Sequence, residues 1–183
     1  APLPTPFDES GELDLGRFRR AIPTWMKSPL TGVVVLGTNG EAGLLDDAES
    51  AAVIDTARQD IPSDRVLLAG TARESTVHAI RAARTAASLG ADAVLVRTPC
   101  FFKGQMTGAA FERDFTAVAD ASPVPVLLYN FTAATGVNLL PETVARLATH
   151  PNIVGMKEAG SDIAQIADLV AVANPSFSGL AGS

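Results

Sequence analysis

The sequence has few of the residues that form disulfides or bind metals. It contains one cysteine, Cys100, and two histidines, His78 and His150, among 183 residues. A single cysteine cannot form an internal disulfide, and the two histidines are too few and too far apart in sequence to suggest a metal cluster. These absences favour a reduced, cytoplasmic protein that needs no metal and no other cofactor.

Long apolar runs and basic clusters are also absent from the sequence. No run approaches the roughly 18 apolar residues that a membrane helix needs, and no charged segment followed by an apolar one opens the chain. Lysine and arginine number 14 against 20 aspartates and glutamates, which gives a net charge of −6. The longest basic cluster is residues 17–20, so we expect neither a nucleic acid nor a membrane as a partner.

Apolar residues, in contrast, make up 47% of the chain, enough to bury a core and to exclude disorder as its main state. Six short apolar runs are continuous rather than alternating, which is typical of strands buried on both faces of a parallel sheet. They span residues 32–37, 65–70, 93–98, 126–130, 153–157 and 177–182.

Helical segments are predicted between these runs. The clearest is 74–89, where Val77, Ile80 and Ala83 recur at helical spacing and are assigned to the core, and Gly90 follows as a stop signal. In the segment 13–27, Pro23 predicts a kink or break. The other helical segments are 46–60, 108–121, 141–149 and 161–173.

This alternation predicts an α/β fold, either a doubly wound sheet or a (β/α)₈ barrel. Residues 4–7 would follow a first strand that is largely missing, which makes seven strand positions in all. A complete barrel typically takes about 250 residues. We therefore expect residues 1–183 to form a single TIM-barrel domain, present to about the seventh strand and lacking the eighth strand and the C-terminal helices of a longer protein.

Functional groups of such sheets lie at the carboxyl ends of the strands, and Lys157 ends the fifth apolar run. A partly desolvated lysine amine loses its proton more readily and can attack a ketone to form a Schiff base, which is the chemistry of a metal-free aldolase. Two structural alternatives remain open at this point. Lys157 could pair with Glu158, or its side chain could simply extend to solvent.

Three other strand ends carry candidate groups. Tyr129, the only tyrosine, could transfer protons or could hold a structural position at the rim. The segment 37–41 offers backbone N–H groups, a hydroxyl and an amide that could hold a carboxylate, or it could be an ordinary tight turn. For Cys100 a packed thiol is favoured, because no histidine accompanies it.

Six short motifs occur in a fixed order along nearly the whole chain. They are Thr5-Pro6-Phe7, Gly37-Thr38-Asn39-Gly40-Glu41, Ala69-Gly70-Thr71, Thr98-Pro99, Tyr129-Asn130 and Val154-Gly155-Met156-Lys157-Glu158. Each motif alone is weak, but together they resemble the dihydrodipicolinate synthase and N-acetylneuraminate lyase family of class I pyruvate aldolases. The resemblance implies a (β/α)₈ barrel, pyruvate or a pyruvate-derived keto acid as substrate, and a homo-oligomer, either a dimer or a tetramer.

The resemblance also implies roles for individual residues. Lys157 would form the imine with the keto acid, and Tyr129 would be the acid and base of the proton transfers. Thr38 would act beside Tyr129 in catalysis, and with Gly37 and Asn39 it would hold the carboxylate of the keto acid.

The sequence departs from the family pattern at three positions. The synthases have a Tyr-Asn-x-Pro-x-Arg-Thr-Gly stretch whose arginine grips the carboxylate of the second substrate, and Ala134 stands at that position. Phe101 aligns with the second tyrosine of the family's Thr-Pro-Tyr-Tyr, which completes a proton relay from a neighbouring subunit. Asn39 replaces the second threonine of a Thr-Thr pair.

With residues 150–157, these departures resemble the 4-hydroxy-2-oxoglutarate aldolase branch, which cleaves its substrate to pyruvate and glyoxylate. We therefore expect an aldolase of that type. Dihydrodipicolinate synthase is the alternative, and a non-catalytic barrel is the third hypothesis. Arg73 and Arg97 are the candidates for a second carboxylate site, unless they form rim salt bridges to Glu74 or Asp92.

Overall fold

The computed structural model describes residues 1–172 and 176–182, in which strands and helices alternate as the sequence predicts, except that a short helix not predicted from the sequence, Thr132–Thr135, precedes Pro141–Leu147. Six parallel strands are neighbours in chain order. The strands β1–β6 are Gly32–Val35, Val66–Gly70, Ala93–Arg97, Val126–Asn130, Ile153–Glu158 and Ser178–Ala181. The helices α1–α7 are Leu15–Trp25, Asp47–Asp60, Thr76–Ser88, Gly108–Ala121, Thr132–Thr135, Pro141–Leu147 and Ile163–Val172.

Backbone contacts divide the chain into two compact units. The first unit contains residues 1–71 and 85–94, and the second contains residues 72–84 and 95–183. Strand β3 and helix α3 each begin in one unit and end in the other, so both units are built from the same repeating pattern of strand and helix.

In the first unit, residues before α1 continue the sheet beyond β1. The N–H of Leu3 donates to the Val34 carbonyl, and the N–H of Val34 donates to the Ala1 carbonyl, both at 2.8 Å. Pro2 thereby forms a single parallel bridge with Val34. Residues 1–3 thus lie at the strand position that the sequence predicts before residues 4–7.

Pro23 does not break helix α1 near its middle, so that part of the sequence prediction is wrong. The helix runs through Pro23 and ends two residues later, at Trp25. Because Pro23 lies in the last turn, the hydrogen bond that it forfeits is at the frayed end of the helix, where its cost is smallest. Phe18 and Ile22 bury the apolar face of the helix.

The core face of helix α3 also differs from the prediction. Val77, predicted to lie in the core, is 55% exposed. Ala83, also predicted there, is fully buried together with Ala79 and Ala86. Helical spacing alone defines two overlapping apolar stripes, and small side chains allow the closest approach of a helix to a sheet. The remaining predicted helix ends agree to within two residues, except that residue 173 lies outside the described residues.

In the second unit, strands β4, β5 and β6 pair in parallel and bring their carboxyl ends to one edge. Tyr129 on β4 is level with Lys157 on β5, and Lys157 is level with Leu180 on β6. Every residue of β4 is buried, as expected for a strand covered on both faces. The register therefore places the two principal candidate side chains beside each other on one face of the sheet.

Candidate active site

Lys157 and Tyr129 form the centre of the candidate site in the second unit. The Nζ atom of Lys157 lies 4.5 Å from the centre of the Tyr129 ring. Tyr129 is only 4% exposed, whereas Lys157 is half-buried and remains open to solvent at the strand ends. A cation over an aromatic face is attracted by the ring quadrupole, which orders the lysine side chain. The amine and the phenol ring are thus held where one small substrate can contact both.

Neighbouring groups restrict both side chains further. The Tyr129 ring stacks on Phe131, with ring centres 6.0 Å apart and planes inclined by 20°. On the lysine side, a Cβ atom added at Gly182 would lie 2.8 Å from Lys157 Cε and 2.7 Å from Ala159 Cβ. The lysine stem therefore passes directly over Gly182, and only glycine leaves room for it.

Glu158 is not the partner of Lys157. Successive residues of a strand point to opposite faces, and Glu158 is bonded on the face opposite to Lys157. Its carboxylate accepts from Asn130 Nδ2 at 2.8 Å and from the Gly160 N–H at 2.6 Å. The structural alternative that paired Lys157 with Glu158 is therefore wrong, and Lys157 contacts the Tyr129 ring instead.

In the first unit, the predicted carboxylate cradle is a short 3₁₀ turn, Thr38–Gly40, directly after β1. Gly37 is buried, while Thr38 and Asn39 are exposed. The hydroxyl of Thr5 donates to the Gly40 carbonyl at 2.7 Å and so fixes the last residue of the turn. Binding of a keto-acid carboxylate by Gly37, Thr38 and Asn39 stays a prediction.

The entry into this turn depends on Leu36 and Gly70. Leu36 has a left-handed backbone, with φ of 55°, and is one of two such residues other than glycine among the described residues. Its carbonyl group lies so close to Gly70 that a Cβ atom there would overlap the carbonyl oxygen. Gly70 therefore makes room for the strained backbone that begins the turn.

Arg97 forms an ion pair with Glu74 in the second unit. The Thr98 N–H donates to the Tyr129 carbonyl at 3.2 Å, which in a parallel ladder places Arg97 level with Tyr129. Arg97 Nη2 lies 2.9 Å from Glu74 Oε1, and Nη1 lies 3.1 Å from Cys100 Sγ. The salt bridge to Glu74 that the sequence analysis allowed for is thus formed.

Arg73 and Asp92 do not form the other pair that was considered. Arg73 Nη1 donates to the neighbouring Ala72 carbonyl at 2.9 Å, and Asp92 pairs with Arg58 at 3.2 Å. Binding of a substrate carboxylate by Arg73 or Arg97 stays a prediction.

The Glu74 carboxylate also fixes the loop after β3. It accepts the N–H groups of Cys100 at 2.7 Å and Phe101 at 2.8 Å, in addition to the Arg97 guanidinium. Partial burial alone would raise the pKa of Glu74, but these hydrogen bonds outweigh burial and lower the pKa below its ordinary value of 4.5. Nearby, burial raises the pKa of Asp114, and the charge of Glu74 adds to that effect.

The lowered pKa predicts how Glu74 contributes to stability as the pH changes. Because the folded state favours the ionised carboxylate, the contribution is present above pH 4.5 and is lost as the pH falls through the lower folded-state pKa. We expect the wild type to melt at a higher temperature than Glu74→Gln at pH 7, and the two melting curves to converge in acid. Equal melting temperatures at pH 7 would show that Glu74 does not stabilise the loop.

Neither a membrane-spanning helix nor a group of metal ligands occurs within the described residues. None of the helices within 1–172 and 176–182 has the length and apolar character that a membrane crossing requires. In the same part of the chain, no three histidine, cysteine or carboxylate side chains are grouped so that they could hold a metal ion.

The strand order and the position of Lys157 place the chain in the class of TIM-barrel proteins, whose functional groups lie at strand ends. It belongs to the Dihydrodipicolinate synthetase family, whose model it matches over residues 1–183. The family resemblance and the fold class inferred from the sequence are both confirmed.

Curated relatives and solved structures agree with this family. The chain is 43% identical over 180 residues to a 4-hydroxy-tetrahydrodipicolinate synthase of Xanthomonas axonopodis pv. citri, covering 98% of this chain and 59% of the relative. It is 41% identical over 169 residues to a 4-hydroxy-tetrahydrodipicolinate synthase from an Exiguobacterium species, which covers 92% of this chain and 57% of the relative. The crystal structure of dihydrodipicolinate synthase from Aquifex aeolicus superposes with a TM-score of 0.94 at 30% identity, covering 100% of this chain and 62% of the Aquifex chain.

YagE, a prophage protein of the dihydrodipicolinic acid synthase family from E. coli K12, was solved in complex with pyruvate. It superposes with a TM-score of 0.93 at 31% identity, covering 99% of this chain and 61% of YagE. The chain therefore spans about three fifths of the length of these relatives and structures. The names of the relatives support the synthase alternative more than the 4-hydroxy-2-oxoglutarate branch, which is not confirmed.

Proposed function

We propose that this chain carries the imine-forming site of a class I carbon–carbon lyase that acts on pyruvate or a pyruvate-derived keto acid. The observation that supports this most directly is the Lys157 amine held 4.5 Å from the centre of the Tyr129 ring at neighbouring strand ends. A half-buried primary amine beside a phenol supplies both the nucleophile and a group that can carry the protons of imine chemistry.

The proposed reaction begins with attack of the neutral Lys157 amine on the keto carbon. Tyr129 delivers a proton to the oxygen, water leaves, and a protonated imine forms between Nζ and the keto carbon. Loss of a proton from the adjacent carbon gives an enamine, which attacks an aldehyde to form the new carbon–carbon bond. Water then hydrolyses the imine and restores the amine, and the reverse sequence cleaves a 4-hydroxy-2-keto acid. Thr38 is proposed as a further catalytic residue and, with Gly37 and Asn39, as a binding residue for the carboxylate of the keto acid.

For the overall reaction, 4-hydroxy-tetrahydrodipicolinate synthesis is the first candidate, because the curated relatives at 43% and 41% identity carry that name. Cleavage of 4-hydroxy-2-oxoglutarate is the second candidate, and one observation favours it. Ala134, exposed on the short helix α5, provides no cation at the position where the synthases of this family have an arginine.

The test is to treat the purified chain with borohydride in the presence of pyruvate and to measure its mass. We expect one reduced pyruvate adduct on Lys157, unaffected by EDTA, since the imine itself acts as the electron sink. Pyruvate consumption with a panel of aldehydes, and pyruvate release from 4-hydroxy-2-oxoglutarate, then distinguish the two candidate reactions. Absence of any adduct would contradict the proposal.

Arg97 is proposed as the cation that replaces the missing arginine at position 134, since it is level with Tyr129. We expect Arg97→Ala to raise the KM for a dicarboxylic keto acid by about tenfold or more, about 1.4 kcal/mol, because a bidentate pair is lost. Pyruvate imine formation should be unchanged. Arg73→Ala is the matched comparison. If both variants cleave dicarboxylic and monocarboxylic keto acids with the wild-type KM, a neutral aldehyde partner is favoured.

We further propose that residues 1–183 are part of one barrel domain that assembles as a homo-oligomer, a dimer or a tetramer, in the cytoplasm. Phe101 and Phe102 support the assembly, because their rings meet edge to face at 5.0 Å and yet are 76% and 68% exposed. Adjacent exposed aromatic rings are typical of contact surfaces.

Replacing Phe101 with aspartate should weaken this association, because a charge in an apolar interface is desolvated without a partner. Light scattering over a range of concentrations measures the effect, and Val77→Asp, which is also exposed, serves as the control. If Phe101→Asp assembles like the wild type, the interface lies elsewhere.

A further inference from the structure

Behind the candidate catalytic pair, four polar side chains form one connected hydrogen-bond cluster. Asn130, fully buried, donates from Nδ2 to Glu158 Oε2 and to Asn138 Oδ1, both at 2.8 Å. Asn138 and Gln165 exchange hydrogen bonds of 2.7 and 3.0 Å. We call these residues, Asn130, Asn138, Glu158 and Gln165, the strand-end bridge.

The strand-end bridge joins four pieces of the chain. Asn130 ends β4, Glu158 ends β5, and Gln165 lies on α7. Asn138 belongs to the loop after α5, and the Leu139 N–H in the same loop donates to Asn130 Oδ1 at 3.0 Å. Every polar atom of the Asn130 amide is thus used within the second unit, so its position is fixed by its partners.

The bridge lies directly behind the residues that the proposed reaction uses. Tyr129 and Lys157 are level with each other, and the next level of the same ladder is Asn130 with Glu158. Because successive side chains of a strand point to opposite faces, the bridge clamps the two strand ends from the other side of the sheet. It also closes the loop that begins with Phe131, whose ring stacks on Tyr129.

We infer that Asn130 and Glu158 are positioning residues, which hold the Lys157 amine over the Tyr129 ring by locking the register of the two strand ends. The inference rests on the proposed function, because it concerns the geometry of the same imine-forming site. Glu158 takes no part in proton transfer to the substrate, since its carboxylate is bonded on the opposite face of the sheet.

The donors around Glu158 explain why a carboxylate is required there. Asn130 Nδ2, the Gly160 N–H and Gln165 Nε2 all point hydrogens at its two oxygens, at 2.8, 2.6 and 3.4 Å. In Glu158→Gln, one oxygen becomes an NH₂ group that faces either the Gly160 N–H or the Asn130 and Gln165 amides, so at least one hydrogen bond to residue 158 is lost without a large change in volume. Asn138→Ala removes the hydrogen bonds of a second member of the bridge. Because Asn138 is exposed, the shorter side chain leaves no buried cavity.

The chain offers a matched control at the opposite end of the same strand. Asn152 directly precedes β5, and its Nδ2 donates to the carbonyls of Ala119, Ser122 and Val124 at 2.9, 3.1 and 3.3 Å. It is a well-bonded asparagine like Asn130, but it lies at the amino end of the strand. Asn152→Ala therefore lowers stability without touching the strand ends that carry Tyr129 and Lys157.

The decisive measurement is NMR of the chain after reductive ¹³C-methylation of its lysines, of which there are three. We expect the methyl signals of Lys157 in the wild type to show a ring-current shift from Tyr129, because Nζ lies 4.5 Å from the ring centre. We expect this shift to disappear in Glu158→Gln and to diminish in Asn138→Ala, and to persist in Asn152→Ala. A shift that persists in Glu158→Gln overturns the inference.

Imine trapping with pyruvate and borohydride provides the second readout. We expect Glu158→Gln to slow trapping at saturating pyruvate by about tenfold or more, while the pyruvate concentration that gives half the maximal rate stays unchanged. Asn152→Ala should trap pyruvate at the wild-type rate although its melting temperature is lower. Equal slowing in both variants would assign the bridge a purely structural role and overturn the inference. If the wild type itself traps no pyruvate, the proposed function fails, and the ring-current comparison alone decides on the bridge.

Discussion

Replacing Lys157 with alanine should abolish both the trapping of pyruvate by borohydride and all turnover, because it removes the amine that is proposed to form the imine. Lys157 is the one lysine of the chain that lies on a strand, since Lys27 and Lys103 follow α1 and β3 in exposed segments. The fold should be retained, because the variant loses the packing of the half-buried lysine stem over Gly182 and the contact with the Tyr129 ring, which contributes about 0.5–2 kcal/mol.

Two further variants complete the test of the nucleophile. Lys157→Arg should be as inactive as Lys157→Ala, because a guanidinium stays protonated and cannot attack a ketone. Lys27→Ala should behave like the wild type in both assays. Mass spectrometry of the trapped protein checks the result, and a pyruvate adduct on Lys157→Ala would show that a different group is the nucleophile.

Tyr129→Phe is expected to lower kcat by about 10²–10⁴-fold, the usual range for a general acid or base. The substitution keeps the ring that stacks on Phe131 and lies beneath the Lys157 amine, so it removes only the hydroxyl. The geometry of the amine should therefore survive while the proton transfers slow.

Phe131→Leu is the comparison for this test, because it loosens the stacking on Tyr129 but leaves the hydroxyl in place. Steady-state kinetics at several pH values should show a smaller loss of kcat than in Tyr129→Phe. A Tyr129→Phe variant with nearly normal kcat would assign Tyr129 a structural role.

The order of strands and helices could be predicted from sequence because each element carries a local signal. A continuous apolar run such as 126–130 becomes the fully buried β4, since a strand covered on both faces has no polar side to display. The sequence of helix α3 does not determine which of its two overlapping apolar stripes packs against the sheet. For that reason the prediction that Val77 lies in the core is wrong. Local signals also do not state how near a helix end a proline such as Pro23 will fall.

The candidate site was predictable to the same extent and for the same reason. Lys157 and Tyr129 end apolar runs, and parallel pairing necessarily brings such ends to one edge. The hydrogen bonds that Glu74 accepts from the N–H groups of Cys100 and Phe101, however, join residues 26 and 27 positions apart, and only the folded backbone brings them together. The role of Gly182 was also hidden, because the need for an absent side chain appears only once the path of the lysine stem is known.

Because Gly70 at the end of β2 lies so close to the carbonyl of Leu36, which follows β1, the residue that position 70 can carry depends on the backbone conformation at position 36. A mutation that adds a side chain at 70 is tolerable only after the backbone at 36 has left its left-handed conformation, and that change would redirect the turn beginning at Gly37. The two positions should therefore co-vary among homologues. In a chimera, the segment around β1 is taken from a homologue and the segment around β2 stays as it is. We expect such a chimera to be functional only when position 70 is still glycine.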